Sequence, residues 1–142
     1  MTIAVKRAYE KPSVHDGCRV LVDRLWPRGL SKKEADVDLW LRDLAPSDLL
    51  RKWFHTRPRQ WAVFRGRYLQ ELSAPEAAAA LEQLYATVRA NKRVTLIYAS
   101  KNVEHNNAVV LKQLLEGMRK PPTTTGPAAA AAAPRQRSAR RR

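Results

Sequence analysis

Three apolar segments have the hydrophobic pattern of β-strands. Residues 3–9 carry β-forming residues at period two, as in a strand with one covered face. Residues 18–25 and 94–99 instead contain the continuous apolar runs VLV and VTLIYA. Continuous runs of this length are typical of strands that are covered on both faces. We therefore expect the second and third strands to lie in the interior of the sheet.

The segment between the second and third strands has helical periodicity. Two S-x-x-E capping boxes begin there, at Ser31 and Ser73. Four amphipathic helices are predicted in this segment, the second beginning near Pro46, and a fifth is predicted over residues 104–119. The positions predicted to face inward are Val37, Trp40, Leu41 and Leu44, then Leu49, Leu50, Trp53 and Phe54, then Trp61, Phe64, Tyr68 and Leu72, then Leu81, Leu84, Tyr85 and Val88, and finally Ala108, Leu111, Leu115 and Met118.

The order of these elements predicts the fold class. A long helical connection between two buried strands requires those strands to be parallel. The chain is therefore predicted to form a small single α/β domain, with a short, mainly parallel sheet of about three strands covered by about five helices. We expect this domain to span residues 1–120.

The C-terminal segment has a different composition. Residues 121–142 contain five arginines, no acidic residue, and no aromatic or large aliphatic side chain. Because such a segment cannot bury enough apolar surface to offset its ordering entropy, a disordered tail is predicted.

The charge of the chain narrows the classes of partner. The 142 residues include 27 Lys and Arg against 13 Asp and Glu, a net charge of +14, and residues 1–120 alone keep a net +9. This surplus makes a nucleic acid or another polyanion a candidate partner, although a solvated basic surface has the same composition. No apolar run could span a membrane and the N-terminal sequence lacks the apolar run of a signal peptide, so a cytoplasmic protein is expected. The single cysteine, Cys18, excludes an internal disulfide and is interpreted as a small buried hydrophobic residue.

Two loops follow predicted strands at the edge where open parallel sheets bind their ligands. The first loop is residues 23–29 and the second is residues 98–102. If the two strands are neighbours, Arg24, Arg28 and Lys101 share one cleft with the N-terminal end of the last helix. A helix N-terminus and arginine forks both favour an anion. The sequence therefore predicts an anion-binding cleft at the carboxyl ends of the strands.

The candidate ligand-binding residues are Arg24, Trp26, Arg28, Tyr98, Lys101 and Asn106. Asp23 and His105 are the candidates for moving a proton if a reaction takes place. Structural interpretations compete with these roles, because Asp23 and Arg24 can fasten a loop and Trp26 can simply pack. His105 can cap the last helix, although Asn102 is the better cap by residue type. No nucleotide-binding motif and no metal-ligand spacing of histidines is present, so neither a cofactor nor a metal is expected.

Four stretches of the sequence carry a resemblance to a known family. They are GCRVLVDRLWPRGLSK (17–32), APSDLLRKWF (45–54), FRGRYLQEL (64–72) and VTLIYASKNVEHNNA (94–108). Across residues 1–118 the chain resembles the YeaO-like branch of domain-of-unknown-function family 488. The resemblance implies a small cytoplasmic α/β protein of bacterial type without an established reaction. The residues that match the family pattern are Asp23, Arg24, Trp26, Arg28, Lys32, Trp40, Tyr98, Lys101, His105 and Asn106.

The chain departs from other branches of that family at a chemically important place. Those branches carry a cysteine at the end of the last strand and a Cys-His-Arg stretch beyond it. Here the strand ends in Tyr98-Ala99, and the later stretch reads Glu104-His105-Asn106. A thiol-based mechanism therefore does not carry over, because the nucleophile is missing. Whether this chain catalyses any reaction is left open by the sequence.

Three functions compete at this point. The favoured one is a protein that binds, or acts on, a small anionic molecule in the cleft. The alternative is a nucleic-acid-binding accessory protein that uses its basic face and its tail. The third is an interaction module, which an exposed Trp53 or Trp61 would favour. The oligomeric state is also left open.

Deleting the C-terminal tail tests the prediction that the domain folds equally well without it. A chain ending at Lys120 should melt at nearly the same temperature as the full chain in calorimetry, because the tail has nothing to bury. If the tail assists polyanion binding, its removal should weaken nonspecific DNA affinity and lower the salt dependence by up to about 5 charges of counterion release. A large loss of stability would contradict the prediction. No DNA binding by either chain would remove the nucleic-acid alternative.

Overall fold

A four-stranded parallel sheet organises the domain. The structure is a computed structural model that describes residues 2–118, so the predicted tail, residues 121–142, lies outside the described residues. The strands are β1 (Thr2–Arg7), β2 (Cys18–Leu21), β3 (Leu39–Trp40) and β4 (Arg93–Tyr98), in the order β1-β4-β2-β3. Every neighbouring pair is parallel, which confirms the predicted pairing of β2 with β4. The sheet has one strand more than the sequence predicted.

Five α-helices pack around this sheet within residues 2–118, which confirms the predicted α/β class. They are α1 (Lys32–Ala35), α2 (Asp48–His55), α3 (Trp61–Glu71), α4 (Pro75–Ala90) and α5 (Asn107–Glu116). Two short 3₁₀ turns, Val14–Asp16 and Arg42–Leu44, complete the connections.

The strands β2 and β4 are covered on both faces, as their continuous apolar runs predict. Side chains alternate along a strand. Val20 and Leu96 accordingly join the main core beneath α2–α5, whereas Leu21 and Ile97 join a smaller cluster under residues 26–40. All four side chains are fully buried.

The segment after α1 is not the helix that its spacing predicts. The capping box at Ser31 forms, since its hydroxyl accepts the Glu34 N–H and the Glu34 carboxylate accepts the Ser31 N–H. The helix nevertheless ends after one turn at Asp36, whose backbone is left-handed with φ 50°. Leu39 and Trp40 then pair with β2 as a strand. The prediction of a helix through residues 37–44 is therefore wrong, because the same apolar spacing also fits a short strand followed by a 3₁₀ turn.

Two further details of the helices differ from the predictions. The capping box predicted at Ser73 does not form, because its hydroxyl donates to the Gln70 carbonyl and Ala74 becomes the N-cap of α4. Pro75 occupies the first helical position, where its missing N–H costs nothing. Leu49, predicted to face inward, is 84% exposed.

An ion-pair network holds the start of β2. The carboxylate of Asp16 accepts a hydrogen bond of 2.6 Å from the guanidinium of Arg19, and Lys6 Nζ lies 3.1 Å from both of its oxygens. Arg19 is only 2% exposed, and its other N–H groups donate to backbone carbonyls at the end of α1. Burial acts to raise the pKa of Asp16, but hydrogen bonds from Ser13, Lys6 and Arg19 outweigh it, so the pKa is lowered.

This network predicts a pH-dependent loss of stability in Asp16→Asn. The substitution should lower the free energy of unfolding by about 3 kcal/mol at neutral pH, because it leaves Arg19 buried without an anion. Since the folded-state pKa is lowered, the stabilisation is present above the ordinary pKa of 3.8 and is lost as the pH falls through the folded-state value. Denaturant unfolding of both proteins at several pH values checks this.

The exposed Asp48, whose oxygen lies 3.5 Å from Arg51, offers the control. Asp48→Asn should change the free energy of unfolding by less than about 0.5 kcal/mol. A difference between wild type and Asp16→Asn that does not shrink in acid would contradict the account.

Candidate functional site

The carboxyl ends of β2 and β4 open into one cleft of about 590 Å³, called here the strand-end cleft. Because β2 and β4 are adjacent and parallel, residues 23–28 and 99–107 leave the sheet at the same edge and both line it. Residues of α2 and α3, together with Tyr9, Ala45, Pro46 and Pro58, complete the lining. The volume falls within the range of about 300–1,000 Å³ that is usual for small-molecule sites.

Most of the residues singled out by the sequence line this cleft. They are Asp23, Arg24, Trp26, Arg28, Lys101, His105 and Asn106. Tyr98 does not line it, because the alternation along β4 turns its side chain into the main core, where it is 2% exposed. Lys32 lies on the surface at the start of α1, and Trp40 lies behind the cleft, where its indole N–H donates to the Asp23 carbonyl at 2.7 Å.

Asp23 joins the two loops of the cleft. One carboxylate oxygen accepts the backbone N–H of Ala99 at 2.8 Å, and the other accepts the side-chain amide of Asn107 at 3.0 Å. The same amide also donates to the Val22 carbonyl at 3.0 Å. Burial raises the pKa of Asp23, while these hydrogen bonds and the charge of Arg51 oppose the rise. The geometry favours a loop-fastening role for this carboxylate over proton transfer.

The loop after β4 is ordered by its own side chains. The Asn102 side-chain oxygen accepts the N–H groups of Glu104 and His105 at 3.1 and 2.9 Å. Asn106, and not Asn102, is the N-cap of α5, because its side-chain oxygen accepts the Val109 N–H at 3.0 Å. The helix therefore begins at residue 107, three residues later than predicted.

Four cationic side chains line the strand-end cleft: Arg24, Arg28, Arg51 and Lys101. Arg24 donates to the Ala45 carbonyl at 3.3 Å, and Arg51 lies 3.5 Å from the exposed Asp48. Within residues 2–118, the side chains of Arg28 and Lys101 form no hydrogen bond and no ion pair. Among the described residues that line the cleft, Asp23 is the single acid. The cleft therefore carries a surplus of positive charge.

Arg51 and His55 also line the cleft, although the sequence reasoning missed them. Both lie on α2, one helical turn apart, and so share one face. Their spacing was visible in the sequence, but the direction of that face depends on how α2 is rotated about its axis. Leu50 is buried and Leu49 is exposed, which turns Arg51 and His55 towards the cleft.

Aromatic rings form one wall of the cleft. Phe54 and Phe64 are stacked, with ring centroids 4.4 Å apart and an interplanar angle of 22°. The imidazole of His105 stacks on Trp61 at 4.5 Å and 13°, and Trp61 in turn lies 5.7 Å from Phe64. Phe54, Phe64 and His105 line the cleft, whereas Trp61 supports them from behind. We call the three lining rings the aromatic wall.

A second, shallower groove lies between α2 and α3, away from the strand-end cleft. Lys52, Arg57 and Arg67 line it together with Trp53. The guanidinium groups of Arg57 and Arg67 lie 5.5 and 4.5 Å from the Trp53 ring centroid. Trp53 and Trp61 are both partly buried, so neither forms the exposed patch that would favour an interaction module.

Residues 2–118 contain neither a candidate metal site nor a candidate membrane-spanning helix. No three His, Cys, Asp or Glu side chains in this part of the chain are grouped so that they could hold a metal ion. None of its helices combines the length and apolar character that crossing a bilayer requires.

Comparisons with known proteins find a family but no solved relative. The family model described as the inactive DUF488-N3 subclade matches residues 2–133. The uncharacterized protein YeaO of Escherichia coli (strain K12) is 39% identical over 118 residues, which is 83% of this chain and 100% of that protein. An uncharacterized protein of Mycobacterium tuberculosis (strain ATCC 25618 / H37Rv) is 41% identical over 115 residues, which is 81% of this chain and 94% of that protein. No solved structure matches.

The two bonds of Asp23 predict the effect of Asp23→Asn. The variant should lose about 1–3 kcal/mol of unfolding free energy, because its amide keeps one acceptor oxygen but presents an NH2 group to the other donor, either Ala99 or Asn107. Denaturant unfolding measures the loss. Asp36→Asn is the control, because Asp36 is exposed in a left-handed backbone that asparagine also adopts, and it should stay within about 0.5 kcal/mol of wild type. Unchanged stability of Asp23→Asn would contradict the fastening role.

Proposed function

The chain belongs to the YeaO-like branch of the DUF488 family, and we propose that it binds a small anionic molecule in the strand-end cleft. The observation that carries the proposal is a pair of cations, Arg28 and Lys101, which lie on loops that follow neighbouring strands and have no partner among residues 2–118. Neither side chain contributes a hydrogen bond or an ion pair to the fold within residues 2–118, so both are available to a ligand. A bound anion would supply both with a counter-charge.

The chemistry of the four cations supports an oxyanion as ligand. A guanidinium presents a planar fork that matches the two oxygens of a carboxylate or phosphate, whereas an ammonium acts as a point charge. The loop that carries Lys101 is held by the hydrogen bonds of Asn102 and by Arg7, which donates to the Ala99 and Ser100 carbonyls at 3.1 and 2.8 Å. Backbone order of this kind lowers the entropy cost of binding.

Binding without catalysis is the form of this function that we propose. The description of the matching family as inactive supports it. So does the position of Cys18 at the start of β2, at the opposite end of that strand from the cleft, where burial and then the charge of Asp38 raise the pKa of its thiol. Both carboxylate oxygens of Asp23 already accept hydrogen bonds. A cytoplasmic location fits a chain whose single cysteine is unpaired.

Nucleic-acid binding is the second candidate, and the groove between α2 and α3 favours it. Lys52, Arg57 and Arg67 can contact phosphates there. If this groove binds DNA, the double variant Arg57→Ala, Arg67→Ala should weaken binding in a filter or anisotropy assay and lower its salt dependence. The same loss for Lys92→Ala, Arg93→Ala would instead mean that only net charge matters.

The proposed function predicts that phosphate and sulfate raise the melting temperature, and that Arg28→Ala and Lys101→Ala reduce this protection by more than half. A ligand that binds only the native state stabilises it. Without ligand, each variant should stay within about 1 kcal/mol of wild type, because both side chains are exposed. Arg28→Lys should also weaken protection, since it removes the planar fork. Scanning calorimetry over a series of phosphate concentrations measures these effects.

Lys92→Ala and Arg93→Ala are the charge-matched controls. Both residues are exposed at the start of β4, at the far end of the strand from the cleft, and should keep full protection. Equal protection in wild type, Arg28→Ala, Lys101→Ala and the two controls, or unfolding of Arg28→Ala and Lys101→Ala in the absence of any ligand, would defeat the proposal.

A further inference from the structure

The lining of the strand-end cleft narrows the chemistry of the anion. We propose that the ligand is an oxyanion with a planar aromatic body, whose charged group lies against Arg28 and Lys101 and whose ring lies against the aromatic wall. This inference rests on the proposed function and names the class of molecule that the same cleft would take.

The size of the cleft is the first argument. An inorganic phosphate occupies the space of a few water molecules, each about 30 Å³ in the liquid. It would leave most of the 590 Å³ unfilled. A ligand that fills this space must carry a body several times larger than its charged group.

The apolar character of the lining is the second argument. The apolar residues that line the cleft, apart from the aromatic wall, are Leu25, Trp26, Pro27, Ala45, Pro46, Pro58 and Ala99. Leu25 is 65% exposed, so a ligand in the cleft can cover a large aliphatic side chain there. Covering this surface is favourable in proportion to the apolar area removed from water. The larger part of the ligand should therefore be apolar.

The aromatic wall is the third argument, and it separates a flat body from a flexible one. Phe54 is partly exposed and is held from behind by its stack on Phe64. Trp61 covers one face of the His105 ring without lining the cleft itself, so the cleft meets the other face or an edge of that ring. Rings that are already ordered offer a flat surface at little entropic cost. A planar ligand ring that contacts them gains binding free energy beyond that of its buried area, through stacked or edge-to-face contacts.

Two of the three wall rings come from helices, whereas the third ring, His105, and the cations Arg28 and Lys101 lie on loops, and we expect a bipartite ligand. Arg28 and Lys101 lie on the loops after β2 and β4, whereas Phe54 and Phe64 belong to α2 and α3. A molecule that uses both must present its charge at one end and its ring at the other. Aryl phosphates and aryl carboxylates share this chemistry.

Calorimetric titration of the full chain with four probes tests the inference. Phenyl phosphate should bind at least about tenfold more tightly than methyl phosphate, and phenol should not bind measurably, because it lacks the charge. Benzoate shows whether a carboxylate serves as well as a phosphate. Phe54→Leu should weaken phenyl phosphate about three- to tenfold while leaving methyl phosphate unchanged. Arg28→Ala should weaken both phosphates.

Two further variants complete the design. Leu49 lies on the exposed side of α2, the helix that carries Phe54, and outside the cleft. The variant Leu49→Ala should therefore bind every probe as wild type does. His105→Leu replaces another ring of the wall and should again weaken phenyl phosphate alone, which provides the measurement if Phe54→Leu does not fold.

The outcomes separate this inference from the proposed function. Equal affinity for phenyl and methyl phosphate, with both lost in Arg28→Ala, would overturn the aromatic body and leave the anion site. Tight binding of phenol, or no effect of Arg28→Ala on any probe, would overturn the anion site itself. An equal loss of both phosphates in Phe54→Leu and His105→Leu would mean that these rings only support the fold.

Discussion

The bridge formed by the Asp23 carboxylate is the constraint on which the strand-end cleft depends. It ties the end of β2 to the backbone of Ala99 just after β4 and to Asn107 at the start of α5. Trp40 fixes the same residue from the other side through the Asp23 carbonyl. Burial raises the pKa of this carboxyl, and its donors offset part of that cost. Two loops that are remote in sequence are thereby held at one edge of the sheet.

The positive charge of the cleft follows from this arrangement. Once the two loops are tied, Arg28 and Lys101 both line the same space, and the rotation of α2 adds Arg51. Among the described residues, Asp23 is the single acid that lines this space, and both of its oxygens are already engaged. Arg28 and Lys101 have no partner within residues 2–118, so a bound anion would be their counter-charge. The aromatic wall lines the same cleft as these cations and provides part of its apolar surface.

The sequence predicts the features that depend on the local hydrophobic pattern and on the parallel direction of the strands. Two continuous apolar runs joined by a long helical segment require parallel strands, and parallel neighbours place residues 23–28 and 99–107 at one edge. The failures have physical causes. The spacing of Leu41 and Leu44 fits a helix, but tertiary pairing of Leu39 and Trp40 with β2 overrides it.

Side-chain direction was the other information that the sequence did not supply. In α2 the apolar residues Leu49, Leu50, Trp53 and Phe54 allow more than one inward face, and only packing against α3 decides that Leu50 is buried. Arg51 and His55 were missed for that reason. The sequence predicts Tyr98 in the site because it ends a strand, yet strand alternation turns its side chain into the core.

A crystal structure of the full chain grown in phosphate tests the central claim most directly. The account predicts a phosphate in the strand-end cleft, within hydrogen-bond distance of the Arg28 guanidinium and the Lys101 ammonium, with both bonds of Asp23 intact. Phosphate bound only in the groove between α2 and α3, or a cleft in which an acidic side chain pairs with Arg28 and Lys101, would contradict it.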